Sequence, residues 1–182
     1  RAGLLVGIVG TIAGVLLGSS DKAGMMQSYL WAWTFWALVV LGCLGLTMLH
    51  HTIRATWSLS VVRMLEAGGG PVALAVVALG FIPIAMNLPL LYPWADPAHA
   101  NDHITHLKAW YLNVDKPWGF FGRQIAYFAV WIVLAFKAQQ SSFKQDETLD
   151  PSLAVKRQSL GAVGLLIFCV SMTLAITDWV MS

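Results

Sequence analysis

Hydrophobic residues in this chain fall in long unbroken blocks rather than in strand-like alternation. Five blocks are long enough, or nearly so, to cross a bilayer core, which takes about 20 apolar residues per helix. They cover about 2–18, 29–49, 71–91, 120–136 and 160–180. Each predicts a helix, because a helix satisfies its own backbone hydrogen bonds where lipid cannot. A β-barrel is excluded on the same pattern, since its strands would alternate apolar and polar positions. The expected fold is all-α: a polytopic membrane bundle, one four-helix bundle plus an extra N-terminal helix, in a single domain over 1–182.

The polar segments between the blocks divide the chain further. Residues 50–70 predict a turn followed by a short interfacial helix, "SLSVVRMLEAGGG", stopped by Gly68, Gly69 and Gly70. Pro71 then suits a first helical position. Residues 92–118 and 137–158 predict polar loops. The first block carries Gly10, Gly14 and Gly18, a small-xxx-small ladder that allows close helix approach. That favours a retained span over a cleaved signal peptide, although the chain starts at Arg1 rather than Met.

Composition agrees with lipid as the solvent. Of 182 residues, 58% are hydrophobic and 11% charged, against about 25% charged in a typical soluble domain. The net charge of +2 is too small and scattered for a nucleic-acid footprint. Cys43 and Cys169 lie in apolar blocks outside any C-x-x-C-H or C-x-x-C pattern, so neither signals a c-type haem or an iron–sulfur cluster. They read as small buried hydrophobes.

Lys and Arg placement sets the expected orientation. Arg1, Arg54, Arg63, Lys137, Lys144, Lys156 and Arg157 share one side; Lys22, Lys108, Lys116 and Arg123 take the other. The richer side is expected to be cytoplasmic, with the N-terminus. Trp31, Trp33, Trp57, Trp94, Trp110, Trp118 and Trp179 sit near span ends as an aromatic belt, while Trp36 and Trp131 are expected between helices.

Polar groups inside or beside the blocks are the candidate chemistry. "TMLHHTIRATW" ends the second block with His50 and His51. Adjacent helical side chains diverge by about 100°, so the two cannot face one haem iron. Either the pair caps a helix end near the headgroups, or one histidine relays protons, since imidazole titrates near neutral pH. Arg63 and Glu66, three apart, can pair on the same membrane side and extend such a relay. At the opposite side Asp178 needs hydration, protonation or a partner, and Arg123 is the candidate partner. Asn87 lies between Pro83 and Pro89, which break the third helix; it either bonds a neighbouring helix or lines a cavity. His99, His103 and His106 have i, i+4, i+7 spacing, but a solvated interfacial helix is favoured over a zinc site.

The run "SYLWAWTFWALVVLGCLGLTMLHHTIRATWSLSVVRMLEAGGGPVALAVVALGFIPIAMNLPLLYPWA", with "KAWYLN" and "TDWVMS", resembles one membrane subunit of alternative complex III, a bacterial quinol:cytochrome c oxidoreductase. The resemblance is to the ActF-type, NrfD/PsrC-like subunit, also called quinone-binding subunit 2, from Ser28 onward. Members of that family resemble ten-helix proteins, so five spans suggest the N-terminal half of a longer subunit. The resemblance implies no covalently bound cofactor and no metal in this chain, with a structural scaffold as its expected main role beside a menaquinone contact and proton-conducting half-channels. It implies haem c and iron–sulfur clusters in partners: an ActC-type membrane subunit, an iron–sulfur subunit and a multihaem cytochrome c, with a terminal oxidase as a further acceptor. It implies a bacterial inner-membrane location among lipids. Two alternatives are half of a secondary transporter built on the Pro83–Pro89 break, and a b-haem anchor using His50.

Overall fold

The computed structural model describes residues 21–53, 61–96, 119–148 and 151–181. It also describes Gly7, Gly10, Gly14, Gly18, Ala98, His103, Tyr111 and Leu112; the side chains of 145–148, 151–154 and Met181 are outside the description. Among the described residues the chain is helical with no strand: α1 (Lys22–Ile53), α2 (Val62–Gly68), α3 (Pro71–Gly80), α4 (Ile82–Met86), α5 (Leu88–Leu91), α6 (Phe120–Thr148) and α7 (Pro151–Ile176). A π-helical turn, Thr177–Met181, closes the described part. Four segments are long and apolar enough to cross a membrane: Lys22–Ile53, Val62–Met86, Phe120–Lys144 and Val155–Val180. The protein is a helical membrane bundle. Apart from Gly7, Gly10, Gly14 and Gly18, the expected first span lies outside the described residues.

The helices run well past the apolar blocks. Asp21 caps α1, its Oδ1 accepting from the Gly24 amide at 3.0 Å, and the helix continues through both histidines. The expected loop over 137–158 is a correction: α6 extends to Thr148 and α7 starts at Pro151. Lys, Gln and Glu are good helix formers, so α6 runs on past its apolar block to Thr148, and Pro151 suits the first turn of α7.

The third span breaks into α3, α4 and α5, as its prolines predict. Pro83 and Pro89 sit in the first turns of α4 and α5, where a missing N–H costs nothing. Two side chains of α1 hold the end of α3. Trp33 Nε1 donates to the Val77 carbonyl at 2.9 Å and Tyr29 Oη to the Gly80 carbonyl at 2.8 Å. These are among the last carbonyls of α3, which helix termini leave needing partners.

Packing is aromatic at one end and aliphatic at the other. Trp33, Phe81, Phe120, Phe128, Trp131 and Trp179 are buried together, Trp33 meeting Trp179 edge-on at 4.8 Å between ring centroids. Ala37, Leu41, Leu44, Met48 and Leu134 fill the remainder. Glycines bring α1 and α7 into close contact: a Cβ on Gly161 would lie 2.8 Å from His51 Cβ and 2.9 Å from the Met48 carbonyl oxygen. The outer surface is apolar, with Phe35, Met86, Ile125 and Leu166 exposed, as lipid requires.

The tryptophans correct the expected belt. Trp31 is 68% exposed, as a belt residue should be, but Trp33 and Trp179 are core residues. Trp36, expected between helices, is 63% exposed, whereas Trp131 is fully buried. The core-facing stripe of α1 runs Met26, Trp33, Ala37, Leu41, Leu44, Met48, and Trp36 lies off it. Trp57, Trp110 and Trp118 lie outside the described residues. In the glycine ladder a Cβ on Gly18 would overlap Met25 of α1, whereas nothing described lies within 4 Å of a Cβ placed on Gly10 or Gly14. Cys43 is half-buried and Cys169 exposed, so Cys169 faces the lipid side rather than the core.

Candidate functional site

Two buried polar clusters occupy opposite ends of the bundle. Arg123 in one and Ser142 in the other are both carried by α6. Their separation of 19 residues is about 28 Å at 1.5 Å per residue, close to the roughly 30 Å hydrocarbon core.

The first cluster joins the end of α1 to α2, α6 and α7. His51 is 4% exposed and Glu66 6%. Glu66 reaches the interior because α2 is capped by Gly69, where an added Cβ would overlap the Leu44 backbone; only glycine lets α2 come this close to α1. Arg63 Nη1 lies 3.0 Å from Glu66 Oε2 and 2.9 Å from Ser142 Oγ, and Ser142 donates to Glu66 Oε2 at 3.1 Å. Arg157 Nη2 lies 2.7 Å from His51 Nε2 and 3.6 Å from Glu66 Oε1. His51 Nε2 is itself 3.6 Å from Glu66 Oε1.

Guanidinium has only donors, so in the 2.7 Å contact with Arg157 it is His51 Nε2 that accepts. The 3.6 Å approach to Glu66 is then an unformed hydrogen bond. His50 diverges from this site as helix geometry demands: it is half-buried, its ring 5.8 Å from that of His51.

The second cluster surrounds Asp178, which is fully buried. Arg123 grips the carboxylate from Nε at 3.0 Å and from Nη2 at 3.1 Å. Gln124 Nε2 at 3.2 Å and Tyr127 Oη at 3.3 Å also donate to it, and the Tyr111 hydroxyl bonds it as well. Trp179 Nε1 donates to Gln124 Oε1 at 2.7 Å, and Tyr92 Oη to the Trp179 carbonyl at 2.8 Å. The π turn carries more residues per turn, so consecutive side chains diverge less; Asp178 and Trp179 both face inward. Arg123 also donates to the Tyr111 carbonyl and lies over the Tyr111 ring, 3.9 Å from its centroid. Burial, and next the Asp178 charge, push the Tyr92 and Tyr111 hydroxyls above their ordinary range, so both remain donors at neutral pH.

The sequence-derived candidates therefore separate. Arg63 pairs with Glu66 and Arg123 with Asp178, as expected. His51 and Glu66 come together; His50 stands beside them with its ring turned elsewhere. Asn87 serves its own helix: the Asn87 amide N–H turns to the Ile84 carbonyl, and its side-chain Nδ2 donates to the Pro83 carbonyl at 2.9 Å. It is a local repair of the broken ladder. His103 is exposed, while His99 and His106 lie outside the described residues. Among the described residues no three His, Cys, Asp or Glu converge as a metal site.

Sequence reading missed Ser142, Gln124 and Tyr127, and took Arg157 only as a surface charge. One signal was present: Gln124, Tyr127 and Trp131 follow helical spacing inside an apolar run, which places polar groups on the core stripe. Among the described residues the core between the clusters is mostly apolar; its polar side chains include Trp131, whose Nε1 donates to Ser171 Oγ at 2.9 Å, and the buried Thr34 and Thr47. Comparison of the chain with protein-family models and with characterised proteins returns no match.

Proposed function

We propose that this chain is the ActF-type membrane subunit of an alternative complex III, a quinol:cytochrome c or quinol:terminal oxidase oxidoreductase. In that assembly it scaffolds the membrane arm and contributes two proton half-channels. The single observation that carries the reading is the His51–Glu66–Arg157 cluster. Ionisable groups are rarely buried at membrane depth without a task, and this one holds an imidazole poised between a cation and a carboxylate.

The chemistry runs as a swap of partners. Neutral His51 accepts from Arg157. A proton arriving at Nε2 replaces that contact with a charge-assisted bond to Glu66, and its onward transfer restores the first state. Arg63 and Ser142 hold Glu66 Oε2 in place throughout. At the other face Asp178 and Arg123 form the second terminus. The mostly apolar layer between them needs groups from a neighbouring subunit, consistent with a role inside a complex.

The resemblance in "HHTIRATW" through "LEAGGGP" supplies the family. Electrons would travel through haem c and iron–sulfur clusters of a multihaem cytochrome and an iron–sulfur subunit, and menaquinol would be oxidised chiefly at the ActC-type subunit. A quinone contact on this chain fits the apolar groove of about 600 Å³ lined by Phe81, Ile82, Met86, Phe121, Ile125 and Phe128, within the 300–1,000 Å³ range of small-molecule sites. The described Lys and Arg also favour one orientation. Arg63, Lys137, Lys144, Lys156 and Arg157 lie toward the His51 end, against Lys22 and Arg123 at the other. By the positive-inside rule the His51 end faces the cytoplasm of a bacterial inner membrane.

The test is proton uptake measured beside quinol oxidation in proteoliposomes of the whole complex. Glu66→Gln and His51→Ala should lower protons taken up per electron, while His50→Ala leaves the ratio unchanged. An unaltered ratio in both inner-cluster variants leaves the scaffold role alone standing. Purification without a multihaem cytochrome partner removes the complex itself.

A further inference from the structure

We propose that the groove between α6 and α7 is a binding site for an anionic phospholipid. The inference rests on the membrane location and the charge pattern, not on the proton path.

The groove holds about 440 Å³ and is lined by Val130, Val133, Lys137, Leu160, Val163 and Ile167 among others. Its walls face outward: Val133 is 51% exposed, Val163 58% and Ile167 40%. The lining on α6 runs from Ala129 to Lys137, about 12 Å along the axis at 1.5 Å per residue. The site is thus a lipid-facing trough of acyl-chain character, apolar from its inner end to its rim.

The rim is where it becomes selective. Lys137, exposed, is itself a lining residue. On α7 the lining residues Leu160, Val163, Gly164 and Ile167 form one helical stripe, and Lys156, also exposed, precedes Leu160 by four residues on that stripe. Two ammonium groups therefore flank the outer mouth of an apolar trough, at the same end of the bundle as Arg157 and Ser142. Lysine is a compact, flexible cation suited to a phosphate point charge. The larger groove beside α3 and α4 lacks this mouth. Its one polar liner, Gln124, is spent on Asp178 and Trp179, so that groove carries no charge preference.

The occupant that matches is a diacyl lipid with a net negative headgroup, one chain in the trough and the phosphate between Lys137 and Lys156. The test uses the full chain with its native partners, purified and stripped of lipid. It is titrated with phosphatidylglycerol, with phosphatidylcholine of the same acyl chains, and with glycerol phosphate as the headgroup alone, bound lipid being counted by native mass spectrometry. The expected result is a preference of roughly thirtyfold for phosphatidylglycerol, about fivefold per lysine near the surface, with no retention of glycerol phosphate. Lys137→Gln with Lys156→Gln should abolish the preference, and the Arg pair should keep it. Val163→Trp, which fills the trough from an exposed position, should remove both lipids. Equal retention of the two lipids overturns the proposal. So does a preference that survives the double Gln variant, or binding unchanged by Val163→Trp.

Discussion

Replacing Asp178 with Asn keeps the shape and one carbonyl acceptor but removes the charge that Arg123 grips. The carboxylate is fully buried and the Arg123 side chain is 18% exposed, so solvent screens the pair little. The donors that converge on it include two from the guanidinium at 3.0 and 3.1 Å, Gln124 and Tyr127 at 3.2 and 3.3 Å, and the Tyr111 hydroxyl. Breaking one partner of a buried pair costs about 3–5 kcal/mol, because the other charge is left uncompensated. The lower end applies here, since unfolded membrane helices also find polar partners. For a chain of this size each kcal/mol moves Tm by about 2–4 °C, so Asp178→Asn should melt about 6–12 °C early. The assay is thermal unfolding of the full chain in detergent, followed by tryptophan fluorescence, because Trp179 and Trp131 report on this region. A double-mutant cycle with Arg123→Gln isolates the pair, with an expected coupling of about 2 kcal/mol. A coupling below about 0.5 kcal/mol, or an unchanged Tm for Asp178→Asn, refutes the claim that this cluster fastens α6 to the end of α7.

Gly69→Ala should destabilise by more than about 2 kcal/mol, since the new methyl meets the fixed Leu44 backbone; a smaller change in the same melt would contradict the close approach of α2 to α1. Gly161→Val should act alike by separating α7 from α1 and should also lower proton uptake, because it displaces His51. Trp131→Phe removes the bond to Ser171 while keeping most of the ring, a loss of about 1 kcal/mol, and Ser171→Ala should cost a similar amount without adding to it. Asn87→Leu exposes the freed Pro83 carbonyl and should cost about 1 kcal/mol without altering proton uptake; altered uptake would return Asn87 to the path.

The hydrophobic pattern alone determined the fold class, because a chain in lipid must satisfy its backbone within each span, and only long helices do so here. It also determined the break of the third span at Pro83 and Pro89 and the halt of α2 at its glycines, both consequences of local backbone chemistry. Arg63–Glu66 and Arg123–Asp178 were legible for different reasons: one follows from helical spacing, the other from two charges stranded at the same membrane face. The tertiary structure decided what depends on rotation about each helix axis. That angle turns Trp33 inward and Trp36 outward, and His51 rather than His50 toward Glu66. It also decided which distant residues complete the clusters. Arg157 and Ser142 meet Glu66 across 91 and 76 residues of chain, and no local preference encodes such a meeting. It arises because Gly69 and Gly161 leave room for the helices to close, and because a carboxylate enclosed at that depth is stable only where cations from other helices reach it.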